Sequence, residues 1–213
     1  MALQDIDLKY KSGSIYTAKN VTIDGLVAMA SGATVGGNPI TSGGWSPADH
    51  GLTAWSGDPA MATSTATITN GTVYLARLNI RAATTISKIW WDHTTAPTTP
   101  TAGQNFAGIY SSAGTLLASA SIDANTTSGL QNVSITPQVV GAGFIWAAFV
   151  FNAATPPVLM RFGGQTAAAN VVNLSAATYR WAVNGTGATA LASTITPASN
   201  SQTGVSAIWA AAS

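Results

Sequence analysis

From Trp45 onward the chain falls into short runs of apolar or alternating apolar and polar residues, separated by Gly, Pro, Asn, Asp and Ser. This is the pattern of β-strands joined by turns. The runs predict strands near 63–69, 72–81, 84–91, 105–111, 115–122, 130–136, 143–151, 157–162, 178–183 and 204–210. Strands of this length and number fit two packed sheets. In TVYLARLNIRA, Tyr74, Ala76, Leu78 and Ile80 share one face, and Arg77, Asn79 and Arg81 fall at or beside the other. NFAGIY and TLLASASI are joined by SSAG, a hairpin connection whose Gly114 is placed for positive φ. Prolines 97, 100, 137, 156, 157 and 197 sit between or at the ends of runs, where no ladder hydrogen bond is lost. No stretch carries a capped 3.6-residue apolar stripe, so helix is expected to be scarce.

The first 44 residues read differently. Residues 1–31 hold three of the four lysines and three of the seven aspartates, and predict two short β segments at 15–16 and 21–23. Residues 32–44, GATVGGNPITSGG, read as a Gly-rich linker. The expected organisation is an N-terminal arm over 1–31, the linker over 32–44, and a β-sandwich over 45–213. Such an arm is too short to bury a core alone, and strand addition to a neighbour is its expected mode of docking. Lys9, Tyr10, Lys11, Ile15, Tyr16 and Lys19 are its candidate anchoring residues.

Composition narrows the function classes. Charged residues make up 7% of the chain, hydrophobic residues 46%, and the formal net charge is +1. Disordered chains are poor in hydrophobic residues and rich in net charge, so this one is expected to fold. Nucleic-acid binders concentrate Lys and Arg to neutralise phosphates, and here only Lys9, Lys11 and Lys19 come near to clustering. The longest apolar run, VVGAGFIWAAFVF at 139–151, falls short of the ~20 residues of a membrane-spanning helix and reads as a buried strand. No cysteine is present, which removes disulfides and thiolate metal sites. The N-terminus lacks the basic and apolar regions of a secretory signal, so synthesis in a cytoplasm is expected. A surface this poor in charge must stay soluble through Thr, Ser, Asn and Gly, which suits proteins displayed in dense arrays, such as those of virions.

Chemistry-bearing residues are few. KIWWDH at 88–93 brings two indoles, a carboxylate and an imidazole together, and PADHG at 47–51 repeats the Asp-His pair. Strict alternation points Ile86, Lys88 and Trp90 one way and Ile89 and Trp91 the other, with Asp92 and His93 at the entry to the loop TTAPTTPTAG. Two Asp-His pairs could converge on a divalent metal, but turn chemistry accounts for the first pair and loop entry for the second. Asp5 and Asp7 lack the Gly and closing Glu of a calcium loop. NGTGA at 184–188 lacks the Lys and helix of a phosphate loop. No G-x-S-x-G elbow or glycosidase acid pair is present. The expectation is a protein without catalytic residues, metal or cofactor. Trp45, Trp55 and Trp91 fall in or beside loops and are candidate glycan or subunit contacts. Trp90, Trp146, Trp181 and Trp209 lie in apolar runs and are expected in the core.

The segment GLTAWSGDPAMATSTATITNGTVYLARLNIRAATTISKIWW, followed by AGQNFAGIYSSAGTLLASA and later GFIWAAFVFN, resembles a module of virion proteins from bacteriophages of actinobacteria. Those proteins are called minor tail, tail-fibre or head-associated proteins. The resemblance covers roughly residues 51–165. It implies a jelly-roll-like β-sandwich displayed on the particle as a tail fibre, minor tail protein, head fibre or capsid decoration, and supplies no active residues. The resulting expectation is a structural virion protein, made in the host cytoplasm and placed on the virion surface. Its partners would be phage capsid or tail proteins and copies of itself in a homotrimer, and neither nucleic acid nor membrane. A host-attachment module gripping cell-surface glycan through loop tryptophans is the alternative.

Overall fold

The computed structural model describes residues 34–35, 38–39, 45–163, 172–203 and 207–213. The chain divides into two units, Met1–Gly44 and Trp45–Ser213. In the first, β1 (Thr34–Val35) and β2 (Asn38–Pro39) pair antiparallel, inside the stretch read as a linker. The segments predicted at 15–16 and 21–23 and the anchoring residues Lys9, Tyr10, Lys11, Ile15, Tyr16 and Lys19 lie outside the described residues.

The second unit is all-β and antiparallel, with single 3-10 turns as its only helical elements among the described residues. Its larger sheet is ordered β3 (Ala54–Trp55), β15 (Ala211–Ala212), β6 (Thr84–Thr95), β13 (Val158–Arg161), β4 (Ser64–Thr67). The other edge of β6 pairs along its length with β10 (Gly129–Val140). The second sheet is ordered β14 (Trp181–Val183), β5 (Tyr74–Ile80), β11 (Gly143–Val150), β8 (Phe106–Ser111), β9 (Leu116–Ser121). A small ladder joins β7 (Thr98–Pro100) to β12 (Ala153–Thr155).

The two sheets bury their facing sides against each other. Ile86, Ile89 and Trp91 of the larger sheet share one cluster with Tyr74, Ala76, Leu78, Ile109 and Phe149 of the smaller. Trp91 meets Phe149 across the gap at 5.5 Å between ring centroids. The alternation in β5 therefore places its residues as expected. The smaller sheet is buried on its other face as well. Leu75, Tyr110, Trp146, Ala148 and Leu191 form a second cluster there, with Tyr179, Ala188 and Ile195 packed on it. Burial on both faces is why GFIWAAFV is apolar without alternation. The run at 139–151 is nevertheless not one strand. β10 ends at Val140 and β11 begins at Gly143, and Val139, paired with Thr85 within β10, is 81% exposed.

The hairpin β8–β9 turns at Gly114, whose φ of 90° suits glycine. Its carbonyl accepts the Ile195 N–H at 2.8 Å, which ties the 190s to this hairpin.

Two features of the larger sheet differ from expectation. The strand predicted at 204–210 makes its ladder further on, at Ala211–Ala212, between β3 and β6. Ala207 to Ala212 are buried by the chain's own sandwich, so their apolar character needs no second subunit to explain it. The phase of β6 also slips. The N–H groups of Ser87 and Lys88 both donate to the Ser213 carbonyl at 2.8 Å, two residues against one, and the register with β10 shifts between Ser134 and Gln138. This β-bulge turns Ile86 to the same side as Ile89, not to that of Lys88 and Trp90 as strict alternation predicts.

Candidate functional site

β6 runs on to Thr95, so Asp92 and His93 are strand residues opposite Leu130 and Gly129, not the entry of a loop. KIWWDH therefore divides by face. Ile89, Trp91 and His93 point into the sandwich and are fully buried, while Lys88, Trp90 and Asp92 are half-buried on the outer face.

The inward half is a packed polar pair inside apolar surroundings. Trp91 donates its indole N–H to His93 Nε2 at 2.8 Å, and the ring of His93 lies edge-on to Trp91 and Phe151. His93 Nδ1 is then the protonated nitrogen and donates to the Thr127 carbonyl at 3.2 Å. Burial lowers the His93 pKa from 6.5 to about 4, so the ring is neutral near pH 7.

Trp91 was expected beside a loop, as a glycan or subunit contact. It is 0% exposed and touches neither solvent nor any surface. Trp90, expected in the core, is its outward neighbour. The reversal follows from the bulge at Ser87 and Lys88, which turns Trp90 away from the side of Ile86, and the strand's continuation to Thr95 keeps Trp91 away from a loop.

The first Asp-His pair is taken up by a turn, as its residues suggested. Asp49 accepts the backbone N–H of Ser46 at 2.7 Å and its hydroxyl at 2.6 Å, closing the 3-10 turn Pro47–His50. The hydroxyl bond, with the backbone bond beside it, lowers the Asp49 pKa. Gly51 ends the turn at φ 66°. His50 is held edge-on between Trp45 and Trp55, at 5.5 and 5.4 Å between centroids. The two histidines thus lie in different places, one among surface indoles and one in the core. Among the described residues no group of three or more His, Asp or Glu is placed to hold a metal.

The outer face of the larger sheet carries the aromatic surface. Trp209 and Ala211 are packed there with Trp55, Trp90, Leu52 and Met160. Trp45 is 68% exposed and Leu130 59%. A hollow of about 220 Å³ opens among His50, Leu52, Trp90, Leu130, Met160 and Trp209. Its indoles are fixed through their N–H groups: Trp90 donates to Ser213 Oγ and Trp209 to the Gly57 carbonyl, each at 3.0 Å. Lys88 Nζ stands 5.4 Å from the Trp90 ring centroid.

Asp92 is not part of the lining of this hollow but lies on the same face, two positions from Trp90 and opposite Leu130 in register, both of which line it. The other three described acids are all occupied. Asp49 and Asp58 accept from backbone N–H groups at 3-10 turns, and Asp123 holds Gly103 N–H and Asn105 Nδ2. The Asp92 carboxylate makes no hydrogen bond or ion pair among the described residues, and burial raises its pKa. Of the residues singled out from sequence, Trp45 and Trp55 reach this face. Trp209 is buried as expected, beneath this face, whereas Trp90, Leu130 and Asp92 were not expected there, because the face of each depends on the phase of β6 and its pairing with β10.

Comparison with protein families and with curated proteins finds no match for this chain.

Proposed function

We propose that the protein is a non-enzymatic structural protein of a phage virion, anchored by its N-terminal arm and displaying the β-sandwich on the particle surface. The observation that supports the non-catalytic reading is the way the fold uses its reactive groups. His93 is a buried hydrogen-bond acceptor for Trp91, and Asp49 closes a turn beside His50. What remains on the surface suits contact better than bond making: few charges and one aromatic face. The phage assignment comes from the sequence resemblance over residues 51–165, and the partners proposed with it are capsid or tail proteins and further copies in a homotrimer. Exposed Val139 and Val172 are apolar surface that such assembly would cover.

Virion fractionation tests this reading. The protein should remain with one substructure, head or tail, after the two are separated, and deletion of residues 1–31 should leave a cooperatively melting sandwich that no longer joins the particle. Incorporation of the truncated chain at full occupancy would refute the anchoring role.

The aromatic outer face favours a second reading, in which the displayed domain also binds host-surface glycan. Trp45 and Trp55 belong to it, and Trp91 does not.

A further inference from the structure

We propose that the outer face of the larger sheet is a saccharide-binding site, in which Trp90, Trp209 and Met160 form the floor for one sugar ring and Asp92, Lys88 and His50 hydrogen-bond its hydroxyls. The inference rests on the glycan-binding reading and moves its centre from the loops to the strands β6 and β13.

Three observations carry it. The first is size. At about 220 Å³ the hollow is smaller than the ~300–1,000 Å³ pockets that enclose drug-sized ligands, and it suits a single ring. The second is preorganisation. Both indoles are locked by their own N–H bonds, to Ser213 Oγ and to the Gly57 carbonyl, so neither is a free donor; half-buried Trp90 offers the carbon surface, and Trp209, 4% exposed, backs it. Binding then freezes little side-chain motion in the floor.

The third is the set of polar groups beside the floor. Lys88, Trp90 and Asp92 alternate along one face of β6, which puts Lys88 and Asp92 roughly 13 Å apart with Trp90 midway. They are too far apart to pair with each other. Neither makes a side-chain hydrogen bond among the described residues, and His50, which lies between Trp45 and Trp55 and interacts electrostatically with Asp49, makes none either. A carboxylate, an ammonium held only over the Trp90 ring and an imidazole thus stand beside an apolar floor with hydrogen-bonding capacity to spare. Burial already disfavours the charged form of Asp92, so a ligand that offers it donors is rewarded.

The mixture of signs selects the ligand. A cationic side chain would satisfy Asp92 but leave Lys88 without an acceptor, an anion would do the reverse, and a purely apolar side chain would cover these groups without hydrogen bonds. A neutral sugar has an apolar C–H face for the indoles and hydroxyls that both donate and accept.

The test uses the full chain on an array of neutral oligosaccharides built from hexoses, deoxyhexoses and N-acetylhexosamines, with titration calorimetry of the strongest binder. Asp92→Ala and Leu130→Arg serve as variants, the second at an exposed position where the fold is least affected. The expected result is binding that each variant weakens at least tenfold without lowering the melting temperature. No binding to any saccharide overturns both this site and the glycan-binding reading. Binding that both variants leave intact overturns the site alone. A lysine-rich peptide bound through Asp92, with no saccharide bound, overturns the proposal in favour of a basic protein partner.

Discussion

The Trp91 indole N–H donates to His93 Nε2 at 2.8 Å, with both side chains fully shielded from solvent. The bond requires an unprotonated Nε2. Protonation there would place two donors face to face where neither side chain reaches solvent, and the Trp91 indole N–H would lose its acceptor.

Stability should therefore fall as the pH drops through the window set by this histidine. Its folded pKa, about 4, lies below the unfolded value of 6.5, so between the two the unfolded chain binds the extra proton. The contribution is fully present above about pH 6.5, declines as the pH falls, and is gone once the folded pKa is passed. A shift of this size corresponds to ~3 kcal/mol. Urea unfolding at half-unit steps from pH 7 to pH 4 should show the decline. His93→Gln, whose amide oxygen can accept from Trp91, should flatten it.

Neighbouring tryptophans should respond very differently to truncation. Trp91→Ala opens a cavity between the sheets against Phe149 and leaves His93 without its donor, a loss of about 3–5 kcal/mol. Trp90→Ala removes a half-buried ring from the outer face and should cost clearly less. Denaturant midpoints of the two variants decide this, and equal losses would contradict the division of β6 by face.

Asp92 carries the opposite pH sign. Its folded pKa is raised by burial, so ionisation above that pKa disfavours the folded state. Asp92→Asn should raise the melting temperature slightly at pH 7, within the ~0.5 kcal/mol usual for partly exposed positions, and should have no such effect at pH 3, where the native side chain is protonated.

Gly114→Ala should be destabilising for two reasons. The position has φ 90°, and an added Cβ would collide with the Ile195 carbonyl, a backbone atom that cannot swing away. A loss of about 1–3 kcal/mol is expected, with amide exchange rising first around Ile195, whose N–H bonds to the Gly114 carbonyl.

Removing residues 211–213 should abolish cooperative unfolding. Ala211 and Ala212 are the ladder between β3 and β6, and the Ser213 carbonyl receives the Ser87 and Lys88 N–H groups of the bulge. A truncated chain that melts in one sharp transition would contradict the central place of β15.

Most of the architecture was legible because its strands obey one rule at a time. Tyr74 to Ile80 alternate, and the turn of β8–β9 carries Gly114 where the backbone needs it. Legibility failed where the outcome depended on distant partners. Ala211 and Ala212 have no pattern of their own, and only Trp55 and Trp90 beside them make them a central strand. The bulge at Ser87 and Lys88 is set by Ser213, so the face of Ile86 cannot be read from its neighbours. Asp92 illustrates the limit at the candidate site. Its residue type suggested a loop, and its interest lies in the absence of a partner among the described residues, a property of the folded sheet alone.

The placement of β15 has a consequence for the order of events during synthesis. Ala210 N–H bonds to Ser56 Oγ, 154 positions earlier, and Ala211 fills the space between Trp55 and Trp90. Until that segment leaves the ribosome, β3 and part of β6 have edges with nothing to pair to, and the indoles beside them lack their backing. Contacts of such long sequence separation are slow to form. The nascent sandwich must therefore wait with an unpaired, aromatic-lined strand edge, the kind of surface that recruits chaperones or joins neighbouring chains.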